Sequence, residues 1–269
     1  MNKPINDVYS TENIGNPTPK TFFEISKWAG VDDETAKKAR NSRAPKIMVS
    51  GRLASGKDTI ASALMETLDF PESVKISFAN SLRDELNIII DIAKRYKDQN
   101  VGSLEVAKYF NLPEQLVSKT FSLVLEAVKE NNNVDANVRS KFIRLALQDW
   151  GTDVRRSVDP NYWVKLGAKS ALEAMAAGNA VHITDARFSN EVEIARGLGF
   201  YAIRLVVDLP IRSQRLLERD GLSIDLDAEN HPSEVELDNY KGFDQWVSNN
   251  KTIDDTVRSI ILAFEYAYN

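Results

Sequence analysis

Short apolar runs alternate with longer stretches of helical periodicity from residue 46 to the end of the chain. The runs are rich in valine, isoleucine and aromatic residues, as strands are, whereas the stretches between them carry apolar residues three and four positions apart. Strand-like runs occur at residues 47–49, 74–78, 180–184, 201–207 and, more weakly, 245–247. Alternation of this kind is typical of a parallel sheet covered by helices. The pattern therefore predicts an α/β fold of three layers around a central parallel sheet.

Three regions depart from this alternation. Residues 1–45 precede it and are predicted to form a partly helical N-terminal appendage, whereas residues 46–269 form the main domain. Within the main domain, residues 81–177 are almost wholly helix-like, which predicts a helical insertion beside the sheet. Near the end, Thr252 and Asp255 have the spacing of a capping box and introduce an apolar stripe, so a closing helix is expected.

The appendage carries three aromatic residues in its helix-compatible part, Phe22, Phe23 and Trp28. We expect them to dock the appendage onto the main domain or onto a second subunit, because large aromatic side chains gain most from burial. The oligomeric state stays open at the level of the sequence, and a homodimer is one of the alternatives.

Composition narrows the classes of function. The chain has no cysteine and two histidines, which excludes disulfides, thiolate zinc sites and a cysteine nucleophile. A net charge of −5 argues against binding of polymeric nucleic acid, which depends on a basic surface. No apolar run approaches the length that crosses a bilayer, and residues 1–10 lack the pattern of a secretory signal. We therefore expect no membrane association and a cytoplasmic location.

A glycine-rich segment follows the first strand-like run. Residues 51–59 read Gly-Arg-Leu-Ala-Ser-Gly-Lys-Asp-Thr, which contains the G-x-x-x-x-G-K pattern between a predicted strand and a predicted helix. Glycines let backbone N–H groups face phosphate oxygens, and Lys57 can reach the terminal phosphates of a nucleoside triphosphate. The predicted contacts with ATP phosphates are Gly51, Ala54, Ser55, Gly56, Lys57, Asp58 and Thr59. The alternative is an ordinary glycine turn between a strand and a helix.

The residue after Lys57 is Asp58, where a serine or threonine usually places its hydroxyl on magnesium. Asp58 is predicted to hold the ion through water, because magnesium prefers oxygen ligands and retains several waters. The alternative is that Asp58 caps the helix. Whether Asp58 or Thr59 contacts the metal stays open at this point.

Four segments together resemble the bacteriophage deoxynucleoside monophosphate kinases. They are the Gly-Lys-Asp-Thr loop, Leu-Gln-Asp-Trp-Gly-Thr-Asp at residues 147–153, Asp-Ala-Arg-Phe-Ser-Asn-Glu at residues 185–191, and His-Pro-Ser-Glu at residues 231–234. The resemblance spans residue 46 to the C-terminus and implies a P-loop kinase fold with a helical acceptor-binding insertion and a lid. It also implies transfer of the γ-phosphoryl group of ATP to a deoxynucleoside 5′-monophosphate, with Mg²⁺ as cofactor and the host cytoplasm as location. His231 is expected to have a local structural role.

Asp185 and Arg187 follow a strand-like run, so both should emerge at the carboxyl edge of the sheet, where open α/β folds bind ligands. Asp185 is a candidate for holding magnesium or its waters, and it is grouped with the catalytic residues. Arg187 is a candidate for gripping the acceptor phosphate through its planar set of donors. The alternative is a surface ion pair at the start of the next helix.

The remaining acceptor candidates lie in the helix-like region: Arg83, Gln148, Trp150 and Arg155. Arg83 follows the second strand-like run, and the resemblance suggests that Trp150 stacks on the base while Gln148 reads its edge. The alternative for Trp150 is a buried position on a helix face, which is the usual place of a tryptophan. Arg155 and the adjacent Arg156 diverge on a helix, so only one of them is expected to meet the acceptor phosphate.

A row of arginines follows Pro210, namely Arg212, Arg215 and Arg219. Residues three and four apart share a helix face, and the row matches the arginine-bearing lid of nucleotide kinases, predicted here at about residues 210–232. Arg215 and Arg219 are therefore catalytic candidates that would neutralise charge on the transferred phosphoryl group. The alternative is a solvated helix flank paired with neighbouring acidic residues.

Two other functions stay open at the level of the sequence. One is another small-molecule kinase with a Gly-Lys-Asp loop, such as a phosphomevalonate kinase. The other is a regulatory module that binds ATP without transferring its phosphate. The missing set of histidine and cysteine catalysts does not discriminate against kinases, because an acceptor phosphate is already ionised near neutral pH and needs no strong general base.

Overall fold

A computed structural model of the protein describes residues 19–138, 140–221, 223–224, 229–230 and 232–268. These residues form two compact units. One unit is helical and consists of residues 78–166, and the other is an α/β unit built from the described residues up to Ser77 and from Gly167 onward. None of the described helices combines the length and apolarity that spanning a membrane requires.

The α/β unit contains, within the described residues, a sheet of five parallel strands in the order β2-β3-β1-β4-β5. The strands are β1 Lys46–Ser50, β2 Val74–Ile76, β3 Val181–Ile183, β4 Tyr201–Val206 and β5 Gln245–Ser248. Each strand falls on one of the five strand-like runs of the sequence. The predicted α/β fold with a central parallel sheet is therefore confirmed.

The central strand β1 separates two differently composed faces of the sheet. Ile47 and Val49 point into an apolar core with Ile203 of β4, and helices α3 Lys57–Thr67 and α12 Ile253–Tyr268 supply the rest of this core. Side chains alternate along a strand, so Ser50 lies on the opposite face, where its register partner is Arg204. Strand order reverses at β1, which is where open α/β sheets usually bind ligands at their carboxyl edge.

Three further helices accompany the sheet. Helix α9 Ser189–Gly197 connects β3 to β4 and packs against β4, and α10 Leu209–Asp220 follows β4. The short α11 Pro232–Val235 precedes β5. The predicted lid at about residues 210–232 thus includes α10 and the start of α11, whereas Leu222, residues 225–228 and His231 lie outside the described residues.

Two helices occupy the described part of the N-terminal appendage, α1 Phe22–Trp28 and α2 Asp33–Asn41. Helix α1 packs against α9, where a Cβ atom at Gly197 would stand 2.4 Å from Cδ1 of Ile25. Phe22 is buried beside Ile25, whereas half of the neighbouring Phe23 surface is exposed. Ile25 therefore contacts α9 of the α/β unit, and residues 1–18 lie outside the described residues.

The helical unit contains α4 Phe78–Arg95, α5 Gln99–Phe110, α6 Glu114–Glu130, α7 Lys141–Gln148, a π-helix at Asp149–Arg156 and the start of α8 Tyr162–Ala176. Helix α6 packs against α4, α5 and α7. It is tightly packed against α5 at Gly102, where a Cβ atom would stand 1.9 Å from the ring of Phe121. The helix-like reading of this region is correct at the level of secondary structure.

Candidate active site

The glycine-rich segment forms the turn between β1 and α3. Gly56 caps α3 with a φ of +83°, and Ala54 also has a positive φ of 59°. Gly51 is tightly enclosed, because a Cβ atom there would stand 2.5 Å from Oγ of Ser55. Among the described residues no side chain caps the N-terminus of α3, so the first N–H groups of the helix remain available for an anion.

Lys57 begins α3 and folds back over the loop. Its Nζ atom donates a hydrogen bond to the carbonyl oxygen of Arg52 at 3.1 Å. Burial, together with repulsion from Arg187, lowers the pKa of Lys57 from 10.5 to about 8, although Glu234 and Asp58 act in the opposite direction. An anion beside Lys57 would relieve this penalty, since an opposite charge favours the protonated amine.

Asp58 is held by the side chains of Lys75 in β2 and of Thr184, which directly follows β3. Its Oδ1 atom accepts hydrogen bonds from Lys75 and, at 2.7 Å, from Oγ1 of Thr184. Burial raises the pKa of Asp58, but the hydrogen bonds from Lys75 and Thr184 outweigh this effect and leave the pKa below its ordinary value. The N-cap position belongs to Gly56, so the described contacts tie Asp58 to the sheet edge instead of capping the helix.

Asp185 stands beside this arrangement, one residue after Thr184. Its Oδ2 atom accepts a hydrogen bond from Oγ of Ser77 at 2.6 Å, and Asp185 lines a cavity together with Gly51, Lys57 and Arg187. The described residues contain no group of three or more acidic or histidine side chains that could bind a metal. Two carboxylates at one sheet edge are nevertheless compatible with magnesium held mainly by phosphates and water.

A dense network of ion pairs surrounds this cavity on the face of the sheet that carries Ser50. Arg204 is buried and donates to Oγ of Ser50 at 2.9 Å and to Asp238 at 2.7 Å. Asp238 also accepts hydrogen bonds from Arg52 of the loop, and the Arg52 guanidinium reaches Glu229 at 3.0 Å. The loop is therefore fixed from behind by charged groups, and Arg204 itself lines the cavity.

Arg187 points toward the loop and pairs with the carboxylate of Glu234. The second oxygen of that carboxylate accepts a hydrogen bond from the backbone N–H of Leu53 at 3.1 Å. Glu234 thus accepts hydrogen bonds from a backbone N–H and from a guanidinium group, and donors of both kinds also bind phosphate. The sequence pattern included Glu234 in a motif without giving it a role.

The three arginines of α10 have different environments. Arg212 is buried and forms a bidentate pair with Glu229, at 2.7 Å for both hydrogen bonds. Arg215 donates from Nη2 to the carbonyl oxygen of Asn249 at 2.9 Å, and its buried Nη1 atom has no hydrogen-bond partner among the described residues. Arg219 is exposed near the end of α10. Arg212 also donates to the carbonyl oxygen of Leu53 in the loop at 3.3 Å, so its guanidinium links the loop to Glu229. Arg215 lies beside Gly56, where its Nη1 atom would stand 3.8 Å from a Cβ atom.

Two of the four acceptor candidates in the helical unit are committed to its core. Trp150 is fully buried and donates from Nε1 to Oε2 of Glu85 at 2.7 Å. Arg155 forms a bidentate pair with Glu85, at 2.8 and 2.9 Å, and stacks against the rings of Trp150, Phe110 and Tyr162. The geometry thus favours the alternative of a core tryptophan over direct stacking on a base.

The other two candidates in this unit are more accessible. Arg83 is half-buried on α4, and Gln148 is exposed at the last position of α7. Gln148 is followed directly by the π-helix that contains Trp150 and Arg155. Short π-helical segments often occur at functional sites, so this irregularity is consistent with a ligand-binding role for its surroundings.

Arg204 and Asn249 are the main site residues that the sequence pattern missed. Arg204 is a charged residue inside the apolar run 201–207, and a charge in a buried strand is an anomaly that can signal a site. Asn249 follows the weakest of the five strand-like runs and carried no such signal. Arg204 and Asn249 can be recognised as site residues only from the tertiary structure, in which β4 and β5 lie beside the loop.

Comparisons with known proteins give a viral relative and distant structural neighbours. Over 227 residues the chain is 27% identical to a protein of Acanthamoeba polyphaga mimivirus named "Putative deoxynucleotide monophosphate kinase", which covers 82% of this chain and 96% of that protein. No protein-family model matches the chain.

Two of the similar solved structures come from bacteria. Dephospho-CoA kinase from Campylobacter jejuni is 15% identical, with coverage of 82% of this chain and 95% of that chain and a TM-score of 0.37. A protein from Thermus thermophilus is 16% identical, with coverage of 83% and 98% and a TM-score of 0.41.

Proposed function

We propose that this protein is an ATP-dependent kinase that phosphorylates deoxynucleoside 5′-monophosphates to diphosphates. The observation that carries the proposal is the convergence of Gly51, Lys57, Asp185 and Arg187 on one cavity at the carboxyl edge of the sheet. Similarity to the mimivirus protein supports a nucleotide kinase. The resemblance of four sequence segments to the bacteriophage enzymes supports a deoxynucleoside monophosphate as acceptor and a role in supplying DNA precursors.

The loop and Lys57 are proposed to bind the donor. Backbone N–H groups at Gly56 and in the first turn of α3 would hold the β- and γ-phosphates, and the Lys57 ammonium would neutralise their charge. An oxygen of the acceptor phosphate then attacks the γ-phosphorus, the bond from that phosphorus to the β–γ bridging oxygen breaks, and ADP leaves. Because the attacking oxygen is already ionised, no residue has to remove a proton.

Arginines are proposed to supply the remaining positive charge. Arg187 would exchange its ion pair with Glu234 for one with the acceptor phosphate, and Arg215 offers a buried donor with no partner among the described residues. Arg219 is proposed to join Arg215 on the transferred phosphoryl group. Asp58 and Asp185 are the residues proposed to hold Mg²⁺, through water, and the ion would supply further positive charge to the phosphates.

The acceptor nucleoside is proposed to bind at the helical unit. Arg83 and Gln148 are the accessible candidates for direct contact. Trp150 and Arg155 are proposed to act from the core, where Glu85 and the aromatic rings around Arg155 fix the segment that follows Gln148. This assignment separates residues that touch the nucleotide from residues that hold its binding segment in place.

A coupled assay of ADP release tests the proposal. Wild-type protein, Lys57→Met and the surface control Lys241→Met are given ATP, magnesium and in turn each deoxynucleoside monophosphate, each ribonucleoside monophosphate and phosphomevalonate. We expect turnover with at least one deoxynucleoside monophosphate. Lys57→Met should lose this turnover, and Lys241→Met should retain it. Turnover with phosphomevalonate alone, or ATP binding without any acceptor-dependent turnover, would refute the proposed acceptor.

A further inference from the structure

Asn249 stands directly after β5 and is buried, with 3% of its surface exposed. Its backbone N–H donates a hydrogen bond to the carbonyl oxygen of Val206 at 3.0 Å, which extends the pairing of β5 with β4 by one residue. Asn249 therefore lies at the carboxyl edge of the sheet, the same edge as the phosphate loop.

Three further hydrogen bonds connect Asn249 to its surroundings. Its Nδ2 atom donates to the carbonyl oxygen of Ser55 at 2.9 Å, and its Oδ1 atom accepts from Oγ1 of Thr256 at 2.9 Å. Its backbone carbonyl oxygen accepts from Nη2 of Arg215 at 2.9 Å. The orientation of the side-chain amide follows from these partners, because a carbonyl oxygen only accepts and so requires Nδ2 to face Ser55.

We propose that Asn249 is a positioning residue of the phosphate loop. Its side-chain amide fixes the peptide between Ser55 and Gly56, and its backbone carbonyl holds Arg215 beside that peptide. This inference rests on the proposed ATP-dependent function, and it adds a residue that neither the sequence motif nor the similarity to the viral protein assigns.

The geometry of the peptide bond explains how Asn249 acts on the loop. The described residues contain no cis peptide bond, so the carbonyl of Ser55 and the N–H of Gly56 point in opposite directions. With the carbonyl held toward Asn249, the N–H of Gly56 projects to the other side of the peptide. Rotation of this peptide would replace a hydrogen-bond donor for phosphate with a carbonyl oxygen, which repels anions.

Close packing against Gly56 supports the same role. A Cβ atom at Gly56 would stand 2.9 Å from Nδ2 of Asn249 and 3.8 Å from Nη1 of Arg215. The side chains of Asn249 and Arg215 thus both lie against Gly56. The Nη1 donor of Arg215, which has no partner within the described part of the chain, is held next to the loop that would bind the phosphates.

Variants at Asn249 and at its hydrogen-bond partner Thr256 test the inference; the Thr256 hydroxyl also lies 3.1 Å from the carbonyl oxygen of Thr252. Asn249→Asp keeps the shape of the side chain but places a carboxylate oxygen where Nδ2 donates to Ser55. Thr256→Val removes the donor that fixes the amide, and Thr256→Ser retains it. The matched control is Asn250→Asp, because Oδ1 of Asn250 only accepts a hydrogen bond, from the backbone N–H of Asp208 at 3.0 Å, and a carboxylate can do the same.

The readouts are the dissociation constant of a nonhydrolysable ATP analogue with magnesium, measured by calorimetry, the KM values of ATP and acceptor, and the melting temperature. We expect Asn249→Asp to weaken binding of the analogue about tenfold, since one hydrogen bond is replaced by a repulsive contact. Thr256→Val should weaken it about threefold, a fraction of the energy of one hydrogen bond, with Thr256→Ser and Asn250→Asp near the wild type. The KM of the acceptor should change less than twofold.

A residue that only stabilises the fold would lower the melting temperature in these variants and leave both KM values and the dissociation constant of the folded protein unchanged. That result would overturn the inference. If Asn249→Asp fails to fold, Thr256→Val and Thr256→Ser decide by the same criterion. Wild-type protein that binds the analogue without phosphorylating any monophosphate would refute the proposed acceptor but leave the test of Asn249 intact.

Discussion

Replacement of Lys57 by methionine should stabilise the protein while it abolishes phosphoryl transfer. The Lys57 ammonium is half-buried at the start of α3, and burial together with Arg187 lowers its pKa to about 8. A group whose charged form is disfavoured in the folded state lowers the free energy of unfolding as long as it stays charged. Methionine keeps most of the side-chain volume and removes the charge.

The size of the effect follows from the pKa. The difference between the ordinary pKa of 10.5 and about 8 corresponds to an upper limit of about 3 kcal/mol, at roughly 1.4 kcal/mol for each pH unit. Methionine loses the hydrogen bond to the carbonyl oxygen of Arg52, which is worth about 1 kcal/mol. We therefore expect Lys57→Met to raise the free energy of unfolding at pH 7 by about 1 to 2 kcal/mol.

The same pKa predicts how the difference depends on pH. Below pH 8 Lys57 is protonated in both the folded and the unfolded protein, so the full advantage of methionine is present. Between pH 8 and 10.5 the folded protein has released this proton and the unfolded chain still binds it, so the stability of the wild type rises with pH. The advantage of methionine should shrink over that window.

Urea denaturation of wild type, Lys57→Met and the surface control Lys241→Met at pH 7 and pH 9.5, without nucleotide, measures these differences. We expect Lys57→Met to have the highest midpoint at pH 7 and a smaller lead at pH 9.5, with Lys241→Met close to the wild type. A Lys57→Met protein that is less stable than the wild type at pH 7, or a lead that does not change with pH, would refute the reasoning.

Three further predictions concern the loop, the helical core and the acceptor phosphate. Gly56→Ala should lower the free energy of unfolding by about 1 to 2 kcal/mol in urea denaturation, because a φ of +83° disfavours a side chain and Asn249 leaves no room for one. Unchanged stability of this variant would contradict the prediction. Glu85→Gln should cost about 3 kcal/mol in the same assay by leaving the buried Arg155 charge without its partner, and a loss below about 1 kcal/mol would argue against the ion pair. Arg187→Met should raise the KM of the acceptor about tenfold and leave the KM of ATP within about twofold, as expected for loss of one charged hydrogen bond to a phosphate, whereas the reverse pattern would place Arg187 on the donor.

The sheet could be predicted from the sequence because most of its strands are apolar on both faces. In β1 and β4 nearly every residue is buried, so a continuous apolar run marks each strand. The edge strand β5 gave the weakest signal, since only Val247 among its four residues is buried. The order of the strands follows from tertiary contacts that no local pattern contains.

The loop could be predicted because its chemistry is local, whereas its partners come from distant segments. Asn249 and Glu234 reach the loop, and Arg204 reaches Ser50 just before it, from positions up to about two hundred residues away, so their spacing in the sequence carries no signal. Trp150 was ambiguous for a related reason. A tryptophan on a helix can face a ligand or the core, and the partner that fixes its place in the core is Glu85, which is remote in the sequence.

The proposed site is tested most directly by a structure with a bisubstrate analogue. In such an analogue adenosine and a deoxynucleoside are joined through a chain of phosphates. The structure should show the donor phosphates within hydrogen-bonding distance of the backbone N–H of Gly56 and of Nζ of Lys57, and the acceptor phosphate on Arg187. Phosphates bound away from this loop, with Lys57 still directed at the carbonyl oxygen of Arg52, would contradict the proposed site.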